Sequence, residues 1–254
     1  MDRYTSAERL AEQYTDSTRL RIRQETHRRY SASAIGFIDW VIGHLDVSAG
    51  MSVADIGCGH GEYHQALTAL GAQVTGVDRS LGMARDAAVT CLAVVGDAEA
   101  LPLGDGTFDR VMCNHVLYHV PDQLLAMREL RRVSRPRGRV VMATNGARNN
   151  ERIYEVARAA ASDIGRPEAF TRASPFRLES VDRVREVFPE VSVHVLRSEL
   201  VFPDPEPALR YWRTMHDDPE LEAAMRARID AIIEAEDSFR VPTIAGCFVA
   251  GLGV

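Results

Sequence analysis

Val53-Ala54-Asp55-Ile56-Gly57-Cys58-Gly59-His60-Gly61-Glu62 reads as a short buried strand that runs into a glycine-rich turn and then a helix. Met51 to Ile56 supplies the apolar strand residues. Gly57, Gly59 and Gly61 have no Cβ and tolerate positive φ, so a ligand can lie directly against this backbone. From Glu62 to Leu70 the residues run at helical spacing, and Gly71 supplies the stop. A strand, a glycine-rich turn and a helix in that order build a nucleotide-type cleft at the carboxyl edge of a parallel sheet.

The glycine spacing narrows the ligand. A dinucleotide fingerprint is G-x-G-x-x-G, with the pyrophosphate resting on the helix N-terminus. Here the run is G-x-G-x-G, and Glu62 stands where the last glycine would be. A carboxylate at that point competes with a pyrophosphate for the same N–H groups and repels it, and Asp55 adds more negative charge. The ligand expected is therefore a phosphate-free, positively charged nucleoside. S-adenosylmethionine, with its adenosine, sulfonium and amino-acid tail, fits that description. Gln73 to Val77 is a second strand with Asp78 at its end, about twenty residues past the first glycine, where a carboxylate can accept from both ribose hydroxyls. Leu92 to Val95 is a third strand, followed by Gly96-Asp97-Ala98, and Asp97 can accept from an adenine amino group.

Taken in order, VADIGCGHGE, GVDRSLGMA, VVGDAEALPLGDGTFDRV and LRRVSRPRGRVVMA resemble the class I S-adenosylmethionine-dependent methyltransferases, most closely the small-molecule type 11 branch. The resemblance runs from roughly Gly50 to Asn145. It implies an α/β fold: a seven-stranded, mostly parallel Rossmann-like sheet with helices on both faces and helical cap elements. It implies cofactor contacts from Asp55, Gly57, Cys58, Gly59, Asp78, Arg79, Gly96, Asp97 and Ala98, with Met83 near the adenine face. The backbone of Asn114 and His115 would meet the methionine end. Tyr14, and with it Tyr30, would belong to an N-terminal helical lid over residues 1–45. Residues 46–145 form the expected cofactor core, and 146–254 the remaining half of the sheet, all within one domain.

Phe108 to Asn114 is the fourth strand, and Asn114 to Asp122 follows at its carboxyl end, where reacting groups gather in such sheets. His115 and His119 are spaced i, i+4 and share one face if this turn is helical. An imidazole has the right pKa to act as a general base, which makes both residues catalytic candidates. His119 has an alternative role in capping the next helix. Metal assistance needs oxygen ligands at the ends of strands four and five. Asn114 and Asn145 stand there instead of aspartates, so no metal is expected. Asp122 to Ser134 is an amphipathic helix and Arg139 to Thr144 the fifth strand. Beyond Gly146 the reading gives helices over Glu151 to Ile164 and Glu179 to Phe188, then a strand over Val191 to Phe202 broken by Pro203, Pro205 and Pro207. Helices over Ala208 to Met215 and Glu220 to Glu236 precede a final strand over Thr243 to Val254. Residues 207–240 are then an insertion between the last two strands. With Trp212, Met215 and His216 it is expected either to cap a substrate or to form an interface in a homo-oligomer.

The net charge of −6 argues against a broad nucleic-acid surface. Every one of the 30 basic residues is arginine, which excludes lysine-based catalysis. Arg128, Arg131, Arg132, Arg135, Arg137 and Arg139 read as the outer face of a helix and the turn after it in preference to an RNA-binding patch. Cys58, Cys91, Cys113 and Cys247 form no CxxC pair and suit a reducing compartment. No apolar run reaches membrane-spanning length and Met1 to Leu20 is too polar for a signal peptide, so a cytoplasmic protein without membrane contact is expected. The expected activity is transfer of the sulfonium methyl group to an oxygen or nitrogen of a small molecule, a specialised metabolite. The rivals are an RNA or protein methyltransferase and a non-catalytic binding protein of the same fold. An NAD-dependent oxidoreductase is disfavoured by Glu62 and the glycine spacing.

Overall fold

The computed structural model describes residues 18–166 and 174–253. Two helices come first, α1 (Thr18–Tyr30) and α2 (Phe37–Leu45). An alternating stretch follows: β1 (Ser52–Ile56), α3 (His64–Ala69), β2 (Gln73–Asp78), α4 (Leu81–Ala87) and β3 (Leu92–Val95). Then come β4 (Phe108–Met112), a 3₁₀ turn over Leu117–His119, α5 (Gln123–Val133), β5 (Ser134–Asn145) and α6 (Glu151–Asp163). The last part holds α7 (Val181–Arg185), β6 (Val191–Phe202), α8 (Pro205–Arg213), α9 (Pro219–Glu236) and β7 (Phe239–Gly251). The strands form one sheet in the order β3-β2-β1-β4-β5-β7-β6. The first five are mutually parallel, and β7 runs antiparallel between β5 and β6. Among the described residues, no helix is long and apolar enough to cross a membrane.

Helices cover both faces, so the central strands bury successive residues on opposite sides. Ala54, Ile56, Val111, Val140 and Met142 pack with Ala126, Met127, Leu130 and Val133 of α5. Val53, Met112, Val141 and Ala143 point the other way and pack with Val41, Ile42 and Leu45 of α2 and Leu67 of α3. β5 begins at Ser134, five residues earlier than the apolar run suggests. Its register against β4 jumps from the Phe108–Ser134 pair to the Arg110–Arg139 pair. The intervening residues bulge, and Arg137 adopts the left-handed conformation at φ 63.

The prolines after β6 start a helix instead of only ending a strand. Asp204 caps α8 by accepting from the Glu206 N–H, with Pro205 in the first turn. Asp218 and Pro219 repeat the device at α9, where Asp218 accepts from the Leu221 N–H. Other expected boundaries move as well. The helix after the glycine-rich turn begins at His64, the segment after Glu179 is a 3₁₀ turn followed by the five residues of α7, and the last strand begins at Phe239.

β6 pairs with β7 along its whole length, whereas β5 reaches only as far as the Asn145–Ala245 pair. The segments Arg197–Phe202 and Phe239–Ile244 therefore continue as a two-stranded ribbon past the carboxyl end of β5. On this ribbon α6, α8 and α9 build a second core around Tyr154, Phe202, Leu209, Trp212, Met225 and Phe239. Tyr30 of α1 packs into it, its ring 5.3 Å from that of Phe202. Tyr30 is thus a packing residue, not the lid aromatic expected of it, and Tyr14 lies outside the described residues.

Candidate functional site

The glycine-rich turn commits four of its amides within the fold. The Gly57 and Cys58 N–H groups both donate to the Val77 carbonyl of β2, at 2.7 and 3.1 Å. The Gly59 N–H donates to Asp78 Oδ2 at 2.9 Å, and the Gly61 N–H to the Cys58 carbonyl at 3.0 Å. A phosphate site on a helix start needs amides pointing outward. The helix here starts late and spans two turns at most, so the turn offers shape and acceptors, not a phosphate nest. Gly57 sits at φ 71, and a Cβ there would lie 2.2 Å from Val116 Cγ2. The chain at the end of β4 thus rests on the bare backbone of the turn.

Asp78 is held in place by two backbone donors. Besides Gly59, the Ser80 N–H donates to its Oδ1 at 2.8 Å. Each oxygen retains lone pairs for a ligand hydroxyl. Burial raises its pKa, against the lowering effect of these two hydrogen bonds. The Gly96 N–H donates to the Asp78 carbonyl, which brings the ends of β2 and β3 together. Asp97 is exposed and accepts from the Glu99 N–H at 3.0 Å, turning the chain at Ala98. Arg79 is exposed at the start of α4, while Met83 is 3% exposed and packs as a core side chain.

Asp55 lies near the end of β1. It is buried, and its Oδ2 bonds His64 Nε2 at 3.1 Å. His64 is fully buried, with Nδ1 3.1 Å from Cys91 Sγ and 3.3 Å from Thr90 Oγ1. Burial alone pushes the His64 pKa down, but hydrogen bonds to Asp55, Cys58 and Cys91 outweigh it and hold the imidazole protonated. The pair supports the turn from beneath and cancels the Asp55 charge. Cys58 is buried with its thiol pKa pushed up to about 11 by burial, so it contributes backbone and a neutral thiol to the site.

At the end of β4, Asn114 Oδ1 accepts from the Ala143 N–H at 3.1 Å and the His115 N–H donates to the Ala143 carbonyl at 2.8 Å. Asn114 Nδ2 is buried, with no hydrogen-bond partner among the described residues. His115 takes φ 59, a left-handed conformation incompatible with a helical turn. His115 and His119 therefore do not share a helical face; the 3₁₀ turn begins only at Leu117. The His115 ring lies 5.4 Å from Phe37 of α2 and 6.4 Å from Tyr118, while His119 packs edge-on to Tyr118 at 4.4 Å.

α1 lies over the turn. Leu20 Cδ2 is 3.5 Å from the position of a Gly59 Cβ. Gln24 Nε2 donates to Glu62 Oε2 at 2.5 Å, and Gln24 Oε1 pairs with His60 Nε2 at 2.9 Å. Glu62 thus faces the helix above it. Burial pushes its pKa up to about 7, against Gln24 and Arg28, which lower it. The folded pKa lies above the usual 4.5, so folding favours the protonated form. This contribution to stability is complete below pH ~4.5 and is lost as the pH rises through ~7. Melting temperature measured from pH 4.5 to 8 is expected to fall less steeply in Glu62→Gln than in the wild type. Parallel curves would show that Glu62 is not buried against α1.

The arginine run is largely tied down. Arg132 bonds Glu129, Asp105 and the Leu101 and Leu103 carbonyls. Arg131 reaches the Val187 carbonyl, Arg135 reaches Asp109, and Arg139 reaches the His44 carbonyl. Residues that the sequence did not single out also border the site. The ring of His27 on α1 packs edge-on to Tyr211 of α8, with centroids 5.8 Å apart. Asn150 Nδ2 donates to the Tyr211 hydroxyl at 2.9 Å. The one local signal for Asn150 is an asparagine at a helix start, and it takes φ 58 there.

Residues 54–142 match the family model described as a methyltransferase domain. The chain is 38% identical over 104 residues to a malonyl-[acyl-carrier protein] O-methyltransferase of Erwinia pyrifoliae, covering 40% of this chain and 40% of that protein. It is 38% identical over 110 residues to a demethylmenaquinone methyltransferase of Staphylococcus aureus, covering 40% of this chain and 46% of the relative. The matches therefore span less than half the length of these curated relatives. Among solved structures, a SAM-dependent methyltransferase from Aquifex aeolicus superposes with a TM-score of 0.56 at 13% identity, covering 93% of this chain and 97% of that one. A Haemonchus contortus phosphoethanolamine N-methyltransferase, solved with S-adenosylhomocysteine, superposes with a TM-score of 0.59 at 17% identity, covering 96% and 59%. Residues 54–142 thus resemble a methyltransferase domain, and the seven-stranded sheet that holds them has the fold of these solved methyltransferases.

Proposed function

We propose that this protein transfers the methyl group of S-adenosylmethionine to an oxygen or nitrogen of a small molecule, a specialised metabolite. The observation that carries the reading is the glycine-rich turn, whose Gly57, Cys58, Gly59 and Gly61 amides are bonded within the fold while Asp78 stands beside it as a hydrogen-bond acceptor. That arrangement suits a ribose and rejects a pyrophosphate. The bare backbone at Gly57 and the buried Asn114 Nδ2, a donor suited to a carboxylate, fit the remainder of the cofactor.

When bound, S-adenosylmethionine supplies a methyl group already activated by the sulfonium charge. The protein's work is then to position the acceptor and exclude water, and such positioning is worth about 7–11 kcal/mol. Asp78 holds the ribose end, and the backbone of Gly57, Cys58, Gly59, Gly96 and Ala98 shapes the walls, with Asp97 at the adenine edge. α1 covers the turn, and the 207–240 insertion caps the acceptor side. A ring nitrogen of His115 takes the acceptor's proton, with His119 as the second candidate. The small-molecule reading is favoured over RNA because four of the six arginines from Arg128 to Arg139 are engaged in the fold.

His115→Asn tests the base, because asparagine tolerates the left-handed backbone that His115 adopts. Affinity for S-adenosylmethionine is expected to stay unchanged while turnover falls about 10²–10⁴-fold. A variant that lost affinity but kept turnover at saturation would sink the assignment. The function itself is tested by incubating the full chain with methyl-labelled S-adenosylmethionine and a panel of phenols, quinols and amines. Label in the small-molecule fraction is expected; label only in added RNA or protein, or none, contradicts the reading.

A further inference from the structure

A second polar pair lies deeper than the cofactor turn. Asn150 follows β5 by five residues and is 1% exposed. Its backbone N–H donates to the Pro242 carbonyl on the ribbon, and its Nδ2 donates to the hydroxyl of Tyr211, itself 5% exposed. Asn150 Oδ1 is buried, with no hydrogen-bond partner among the described residues. An unmet carbonyl in such a place is costly, and such groups are satisfied by an ordered water, an ion or a ligand, or mark a functional role.

The location is informative. The pair stands past the carboxyl end of β5, between the ribbon and α8, and the ring of His27 on α1 closes against Tyr211. One and two turns earlier on the same helix, Gln24 and Leu20 rest on the glycine-rich turn. α1 therefore roofs both places. Thr26 is the buried residue of α1, and Tyr30 at its end packs into the second core.

The chemistry of the pair selects a group. The Tyr211 hydroxyl accepts from Asn150 and keeps its own proton to donate, while Asn150 Oδ1 accepts. Turning the amide by 180° exchanges the roles: Tyr211 then donates to Oδ1, and Nδ2 is left to donate. Either way the pair presents one donor and one acceptor. An ammonium can only donate and a carboxylate can only accept, whereas a hydroxyl does both.

We propose that Asn150 and Tyr211 form an acceptor subsite that anchors a hydroxyl group, alcoholic or phenolic, of the methyl-accepting molecule. This rests on the methyltransferase reading above. The test uses phenol and toluene, a pair of matched shape that differs in the hydroxyl, titrated into the full-length protein and followed by the side-chain amide resonances of its asparagines. Phenol is expected to bind about tenfold or more tightly than toluene and to shift the Asn150 signal. Tyr211→Phe and Asn150→Gly should each abolish that preference and leave affinity for S-adenosylmethionine unchanged. Glycine keeps the positive φ without strain, and Tyr211→Phe preserves the packing if the first variant folds poorly. Equal binding of the two probes, no binding of phenol, or a preference that survives in both variants overturns the subsite. Loss of S-adenosylmethionine binding by the wild type would instead overturn the methyltransferase reading and leave the phenol result standing on its own.

Discussion

Gly57→Ala is expected to lower affinity for S-adenosylmethionine by about a hundredfold or more, since a shift of about 1 Å in a positioned site has effects of that size. Two separate causes act at the position. The backbone sits at φ 71, which disfavours any residue with a Cβ by about 1–2 kcal/mol. The new Cβ would also lie 2.2 Å from Val116 Cγ2, and a valine has little rotamer freedom with which to move aside. The turn must shift, and with it the Gly57 and Cys58 amides bonded to Val77. The causes separate in a double variant. Val116→Ala opens the space but leaves the backbone strained, so Gly57→Ala with Val116→Ala should recover part of the lost affinity and not all of it. Full recovery would mean that the left-handed conformation is not needed, and none would mean that Val116 is not the obstacle. Calorimetric titration of the two variants decides.

Breaking the Asp55–His64 pair should cost more stability than any other polar substitution near the site. Both groups are buried, and removing one partner of a buried ion pair leaves a charge without compensation, at about 3–5 kcal/mol. For a chain of this length that corresponds to a fall in melting temperature on the order of 10 °C. Asp55→Asn and His64→Gln should each show it. The double variant should lose less than the sum, because neither charge is then stranded. Additive losses would show that the two side chains act independently. S-adenosylmethionine binding should weaken along with stability, since the pair lies directly beneath the turn.

The core of the sheet was legible because parallel strands buried on both faces leave apolar runs, as β1 does, whereas the edge strands β3 and β6 are partly exposed and showed as valine-rich stretches between turns. The ends of helices were less so. Glu62 is polar and follows a glycine, the pattern of a helix start, yet Gly61 and the contact with Gln24 delay α3 to His64. The charge logic of the turn treats each carboxylate by itself. Asp78 presents its carboxylate, but Asp55 is neutralised by His64, nine residues on and invisible to a reading that treats each carboxylate alone. His115 and His119 kept their helical spacing in sequence only, since a left-handed residue at 115 breaks the face they would have shared. His27, Asn150 and Tyr211 carry no motif. They meet because β6 and β7 outrun β5 and lift a second core above the sheet edge, a long-range consequence of strand length.

The central claim is that the hollow beyond β1 holds a cationic, phosphate-free adenosine derivative. Isothermal titration of the full chain with S-adenosylmethionine, and separately with NAD, addresses it most directly. One saturable site for S-adenosylmethionine and no heat with NAD is the result the account predicts. Saturable binding of NAD, or no binding of S-adenosylmethionine, would contradict it.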